Sequence, residues 1–96
     1  MADSYAFDVT SSTLTGEVRY WKDLPEKPLL IQFTKTGYYT YYDVPIDVFE
    51  AFRDAPSKGK FFHNFIKGRY AWKKGNFNPE QPDLHTNKHF RTILKH

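Results

Sequence analysis

The stretch Gly37-Tyr38-Tyr39-Thr40-Tyr41-Tyr42-Asp43-Val44-Pro45 constrains the fold more than any other part of this chain. Four tyrosines fall within five residues, between a glycine and a proline. Aromatic and β-branched residues favour strands, and Thr40 keeps the run extended. Successive side chains of a strand point to opposite faces, so Tyr38, Thr40 and Tyr42 share one face while Tyr39 and Tyr41 share the other. Pro45 cannot donate a ladder hydrogen bond and biases Val44 away from the helical region, which ends the strand near Val44. One tyrosine pair is therefore expected in the core and the other toward water or a partner. The residues alone leave open which pair is which.

A chain of 96 residues is long enough for one domain with a single core. A hydrophobic share of 40% supports folding and argues against global disorder. Without cysteine there is no disulfide framework and no thiolate metal site. No apolar run approaches the roughly 20 residues that span a bilayer, and Met1-Ala2-Asp3-Ser4 does not begin a signal peptide, so a soluble cytoplasmic protein is expected. The net charge of +3 conceals an asymmetry. Residues 1–52 hold 4 basic and 8 acidic side chains, net −4, whereas residues 53–96 hold 10 and 3, net +7. Seven of those bases (Arg53, Lys58, Lys60, Lys67, Arg69, Lys73, Lys74) lie within residues 53–74 beside one acid, Asp54. A field of that sign attracts phosphates or an acidic surface, although a lysine-rich solvated face explains it equally well.

Residues 1–10 show no clear period and read as a loosely held leader with room for a short strand at residues 5–9. Over residues 15–21, Val18 and Tyr20 alternate with Glu17, Arg19 and Trp21, the pattern of a half-buried strand. Residues 23–28 carry two prolines and form a loop. Residues 29–34 form the next strand, with Leu29, Ile31 and Phe33 on one face, and Lys35-Thr36-Gly37 turns it back into the tyrosine strand. Pro45 opens a first helix, with Asp47 and Glu50 near its positive end and Val48, Phe49 and Phe52 facing inward; Pro56 stops it. Ser57 caps a second helix ending near Ile66, whose apolar side holds Phe61, Phe62, Phe65 and Ile66, and Gly68 terminates it. Residues 69–74 are either a last short strand or an extended arm. Residues 75–85 read as a linker, and residues 86–95 as a short amphipathic helix with Phe90, Ile93 and Leu94 on one side.

Catalysis finds little support in these residues. There is no glycine-rich phosphate loop, nucleophile elbow or zinc-type helix motif. His85 and His89 are four apart, but no further ligand completes a metal set, so no metal and no cofactor is expected. His63 reads as a surface histidine, and Asp43 and Asp47 as capping groups. The combination that stands out is aromatic plus basic. Exposed rings stack bases while nearby Lys and Arg neutralise phosphates. Trp72, beside Arg69, Lys73 and Lys74, forms a second such cluster. Against this, the same rings also suit the core of a small domain short of large aliphatic residues.

The order of these features resembles the KTSC domain, named for its occurrence at the C-terminus of some lysyl-tRNA synthetases. The resemblance is carried by Ser11-Ser12, the tyrosine stretch with its Tyr39-Thr40-Tyr41, Val48-Phe49, Ala55-Pro56-Ser57-Lys58-Gly59-Lys60-Phe61-Phe62 and Ile66-Lys67-Gly68-Arg69-Tyr70. It covers about residues 11–72 and implies a small stand-alone or appended domain of bacterial and bacteriophage chains, with RNA binding as its proposed activity. The loop at residues 23–28 is longer than the pattern, and residues 75–96 lie outside it.

The expected fold is a small α+β domain at residues 11–74. In it an antiparallel three-stranded β-meander is packed by two short helices, with residues 1–10 as leader and 75–96 as extension. The leading function is a non-enzymatic module binding RNA or another nucleic acid. Lys58, Lys60, Lys67, Arg69, Lys73 and Lys74 would hold phosphates, and Tyr39, Tyr41 and Trp72 would stack bases. Ser57-Lys58-Gly59-Lys60 offers either a phosphate contact at a helix start or a plain helix start. The alternative is a bacterial or bacteriophage protein-interaction module that docks on a host protein or nucleoprotein. The expected state is a monomer or weak dimer away from the membrane.

Overall fold

The structure is a computed structural model and describes residues 3–79. Five antiparallel strands form one sheet in chain order: β1 (Tyr5–Thr10), β2 (Thr15–Tyr20), β3 (Leu29–Phe33), β4 (Gly37–Tyr41) and β5 (Trp72–Lys74). Between β4 and β5 the chain forms α1 (Ile46–Asp54) and α2 (Lys58–Phe61), which continues as a π-helical turn over Phe62–Ile66. The class is α+β, but the sheet has five strands rather than the expected three.

Both additional strands depend on pairing that local patterns do not show. The register of β1 on β2 runs from Tyr5↔Tyr20 to Thr10↔Thr15, which brings Phe7 and Val9 to the core face beside Val18 and Tyr20. At the other edge, β5 pairs with β4 through Tyr41↔Trp72, Thr40↔Lys73 and Tyr39↔Lys74. The β3–β4 hairpin forms as its turn residues predict. Phe33 faces Gly37 across the three-residue loop Thr34-Lys35-Thr36, and Gly37 takes the left-handed φ of 88° that closes it.

One face of the sheet carries the main core. Val18, Tyr20, Leu29, Ile31 and Tyr41 pack there against Phe49, Phe52 and Ile66 from the helical segment. Tyr20 stacks on Phe49 with ring centroids 5.0 Å apart, and its hydroxyl donates to the Val44 carbonyl. Ser57 caps α2, its hydroxyl accepting from the Lys60 N–H at 3.3 Å. Phe65, expected inward, is 51% exposed. The i→i+5 bond from Lys67 N–H to the Phe62 carbonyl (2.9 Å) widens the last turn, which buries Ile66 and rotates Phe65 outward.

The other face is also covered, at the same end of the sheet. Phe77 is buried against Trp21 (4.9 Å between rings) and Tyr42 (6.3 Å), with Leu30 beneath. Hydrogen bonds hold its approach: Gly75 N–H to the Tyr38 carbonyl at 2.8 Å, and Thr40 Oγ1 to the Gly75 carbonyl at 3.0 Å. The tyrosines therefore do not divide into an inner and an outer pair. Tyr41 and Tyr42 are buried on opposite faces, while Tyr38 is exposed and Tyr39 half-buried. Phe77→Ala is expected to cost about 2–3 kcal/mol, less than a central phenylalanine because this cluster is small. Trp21 fluorescence should shift to the red. An unchanged melting temperature and spectrum would show that Phe77 does not close this face. The expected helix over residues 86–95 lies outside the described residues.

Candidate nucleic-acid interface

Antiparallel alternation gathers a set of aromatic side chains where β3, β4 and β5 meet the π-helical turn. Tyr39 and Tyr41 project from β4 on the core-side face, and Trp72 joins them because it lies opposite Tyr41. Phe33 reaches the same place from the end of β3 and Phe62 from the helix. The rings meet edge to face: Phe33 with Tyr39 at 5.4 Å, Phe33 with Phe62 at 5.0 Å and Tyr41 with Phe62 at 5.6 Å. Tyr39 and Trp72 are tilted at 5.2 Å. Such contacts fix ring positions as well as bury area. They leave an open groove of about 320 Å³ at the sheet edge, with Thr36 and Lys67 completing its walls. The Lys74 ammonium lies 5.9 Å from the centre of the Tyr39 ring.

The groove has a neighbour. A second hollow lined by Ser12, Thr13 and Lys35 shares Phe33 and Thr36 with it. Phe33, Thr36, Phe62 and Lys35 were not among the sequence candidates. The alternation of β3 and the register across the hairpin loop carried the signal for Phe33, since it leads to the same face as Tyr39. Phe62 and Lys35 become neighbours of the site only through tertiary packing.

The sequence candidates do not all converge. Tyr39, Tyr41, Trp72, Lys67 and Lys74 are brought together, but Tyr41 is only 5% exposed, too enclosed to stack a base on its face. Lys73 alternates to the opposite side of β5, beside Thr40. Lys58 lies near the far edge of the sheet: its ammonium donates to the Ala55 carbonyl at 2.6 Å and lies 5.6 Å from the centre of the Phe7 ring on β1. There it satisfies a carbonyl at the end of α1 and complements the helix dipole. Lys60 is exposed on α2, outside the groove lining. Arg69 folds back on the Asn64 carbonyl at 3.3 Å.

The helix start at Ser57-Lys58-Gly59-Lys60 is engaged within the protein. The Lys60 N–H is held by Ser57, and a Cβ on Gly59 would sit 3.2 Å from Thr13 Oγ1. The approach of α2 to the β1–β2 hairpin is close there, so a larger residue would have to displace the Thr13 side chain by a few tenths of an ångström. The ion pairs among the described residues, Arg19–Glu17, Lys22–Asp23 and Arg53–Asp54, are exposed or partly exposed and lie between residues one or two positions apart, so they contribute little to stability. Neither Lys67 nor Lys74 forms an ion pair among the described residues, and both side chains are exposed.

Among the described residues, no group of three or more potential metal ligands occurs and no helix is long and apolar enough to cross a membrane.

Comparison with known proteins gives a consistent result. The family model of the KTSC domain matches residues 11–70. A lysine–tRNA ligase of Trichormus variabilis is 38% identical over 58 residues, 60% of this chain and 10% of the ligase. One from a Nostoc species is 32% identical over 71 residues, 74% of this chain and again 10% of the ligase. The chain thus spans about a tenth of the length of these relatives. The crystal structure of a KTSC domain protein from Yersinia pestis is similar with a TM-score of 0.68 and 34% identity, covering 77% of this chain and 100% of that one.

Proposed function

This chain belongs to the KTSC domain family, and we propose that it is a non-enzymatic module that binds single-stranded RNA at the groove between the β3–β4 hairpin and β5. The observation that carries this reading is the placement of Lys67 and Lys74 beside the half-buried rings of Tyr39 and Trp72. Rings with an accessible face stack bases, and cations at their rim neutralise the phosphates. The similarity to part of lysine–tRNA ligases, proteins whose name states that they act on tRNA, supports RNA over other polyanions.

Fluorescence anisotropy of labelled single-stranded RNA at two salt concentrations tests the proposal. Binding should weaken with salt, and Lys67→Ala/Lys74→Ala should flatten the log–log salt slope by about 1–1.5, the share of two phosphate contacts on a single strand. Lys58→Ala should leave affinity unchanged, because that ammonium is engaged at the end of α1. Absence of binding at low salt would overturn the proposal. The alternative role, docking on a host protein through aromatic anchors, would then be pursued, and it predicts weak salt dependence.

A further inference from the structure

Tyr41 presents a chemical problem that the described residues do not solve. Tyr41 lines the groove while only 5% exposed. Phe62 packs edge-on against it at 5.6 Å. Among the described residues its hydroxyl makes no hydrogen bond, whereas the hydroxyl of Tyr20, also buried, has the Val44 carbonyl. Buried hydroxyls are nearly always satisfied, and leaving one unmet is costly. The groove is the open space that Tyr41 lines, so it is where a partner for that hydroxyl can enter.

The surroundings define the partner's chemistry. The groove is at the small end of the range of ligand pockets (roughly 300–1,000 Å³), enough for one ring system rather than a folded segment. Its walls are the rings of Phe33, Tyr39, Phe62 and Trp72, which favours a flat aromatic guest. Lys67 at the rim calls for an anion attached to that guest. A nucleotide combines the three: a planar base, polar atoms on its edge and a phosphate one sugar away.

We propose that the groove is a one-nucleotide pocket in which the Tyr41 hydroxyl hydrogen-bonds the edge of an inserted base while Lys67 meets its phosphate. The inference rests on the RNA-binding reading and sharpens it: Tyr41 is a specificity-determining residue rather than a stacking one. Burial raises the Tyr41 phenol above its ordinary value, so near neutral pH it keeps its proton and both donates and accepts. Hydrogen bonding to a base edge discriminates among bases, which stacking does little to do.

The test is titration of the 15N-labelled protein with each of the four ribonucleoside 5′-monophosphates, with ribose 5-phosphate and with the unphosphorylated nucleosides, followed by amide shifts. One monophosphate should bind most tightly and shift residues 33, 39, 41, 62, 67 and 72. Ribose 5-phosphate should bind at least about tenfold more weakly, having nothing to stack. Tyr41→Phe keeps the ring and its packing, and should lower affinity for the preferred nucleotide about tenfold and level the differences among the four. A melting curve of the variant confirms that it is folded. If a labelled RNA oligomer binds but no monophosphate shifts the groove, the pocket is overturned while RNA binding stands. If Tyr41→Phe binds all four as the parent does, the role of the hydroxyl is overturned. If neither oligomer nor monophosphate binds, both readings fall.

Discussion

Phe49→Ala is expected to remove about 3–5 kcal/mol of stability, a large part of what a domain of this size has. Phe49 is 1% exposed and sits where α1 crosses the sheet. Its ring meets Tyr20 at 5.0 Å, Phe7 at 5.6 Å and Tyr5 at 6.3 Å, so one side chain ties the helix to β1 and β2 together. Truncation leaves a cavity whose walls belong to three elements and cannot collapse by moving one of them. Urea unfolding measures the effect: the midpoint should fall with the slope preserved, and the melting temperature should drop by more than about 12 °C. A loss below about 1 kcal/mol would mean that α1 is not anchored on this sheet in solution.

Local patterns in the sequence reach as far as the central hairpin and the helices. Val18 and Tyr20 alternate inward as β2 requires, Leu29, Ile31 and Phe33 share a face, and Gly37 closes the turn into β4. Ser57 caps its helix, and Phe49 and Phe52 face the core. Non-local pairing is not legible in this way. The strand at residues 5–10 has the alternation of Phe7 and Val9 but only two clear apolar positions, and its place depends on β2. The three residues of β5 are too few to show a period and are held by β4.

The tyrosine faces show the limit of alternation. It correctly divides Tyr39 and Tyr41 from Tyr38 and Tyr42, but it does not tell that both faces are covered at one end. That coverage comes from Phe62 on one side and Phe77 on the other, from 20 or more residues away in the chain. The basic cluster fails for a related reason. Seven cations within 22 positions form a dense run in the sequence, yet the fold disperses them. Strand alternation alone places Lys73 and Lys74 on opposite faces, so that part was available from the sequence. The capture of Lys58 by the Ala55 carbonyl was not, since it depends on how α1 ends. What remains at the groove is Lys67 and Lys74 with Tyr39 and Trp72, a smaller site than linear charge density suggests.

Alkaline pH is expected to unfold this protein through its buried phenols. Burial, and after it the carboxylate of Asp47, raises the Tyr20 phenol from 10.0 to about 12. Tyr41 is raised in the same direction, first by burial and then by its neighbour Tyr39. For a group with a raised folded-state value, the folded protein holds its proton more tightly than the unfolded chain. Below about pH 10 both states are protonated and the contribution is intact; as the pH climbs, the unfolded chain ionises first and stability is lost through about pH 12. A separation of two units corresponds to about 2–3 kcal/mol for Tyr20 alone. Melting temperatures should therefore stay level near pH 9 and fall steeply above 10, with phenolate absorbance appearing as the fold is lost. Tyr20→Phe should start lower, by about 1 kcal/mol, because the Val44 carbonyl loses its donor. It should then fall less steeply, since one of the two buried phenols is gone. Parallel curves for parent and variant would show that Tyr20 ionises no differently folded than unfolded. The alkaline loss would then have to come from Tyr41 or from the lysines, whose ordinary values lie in the same pH range.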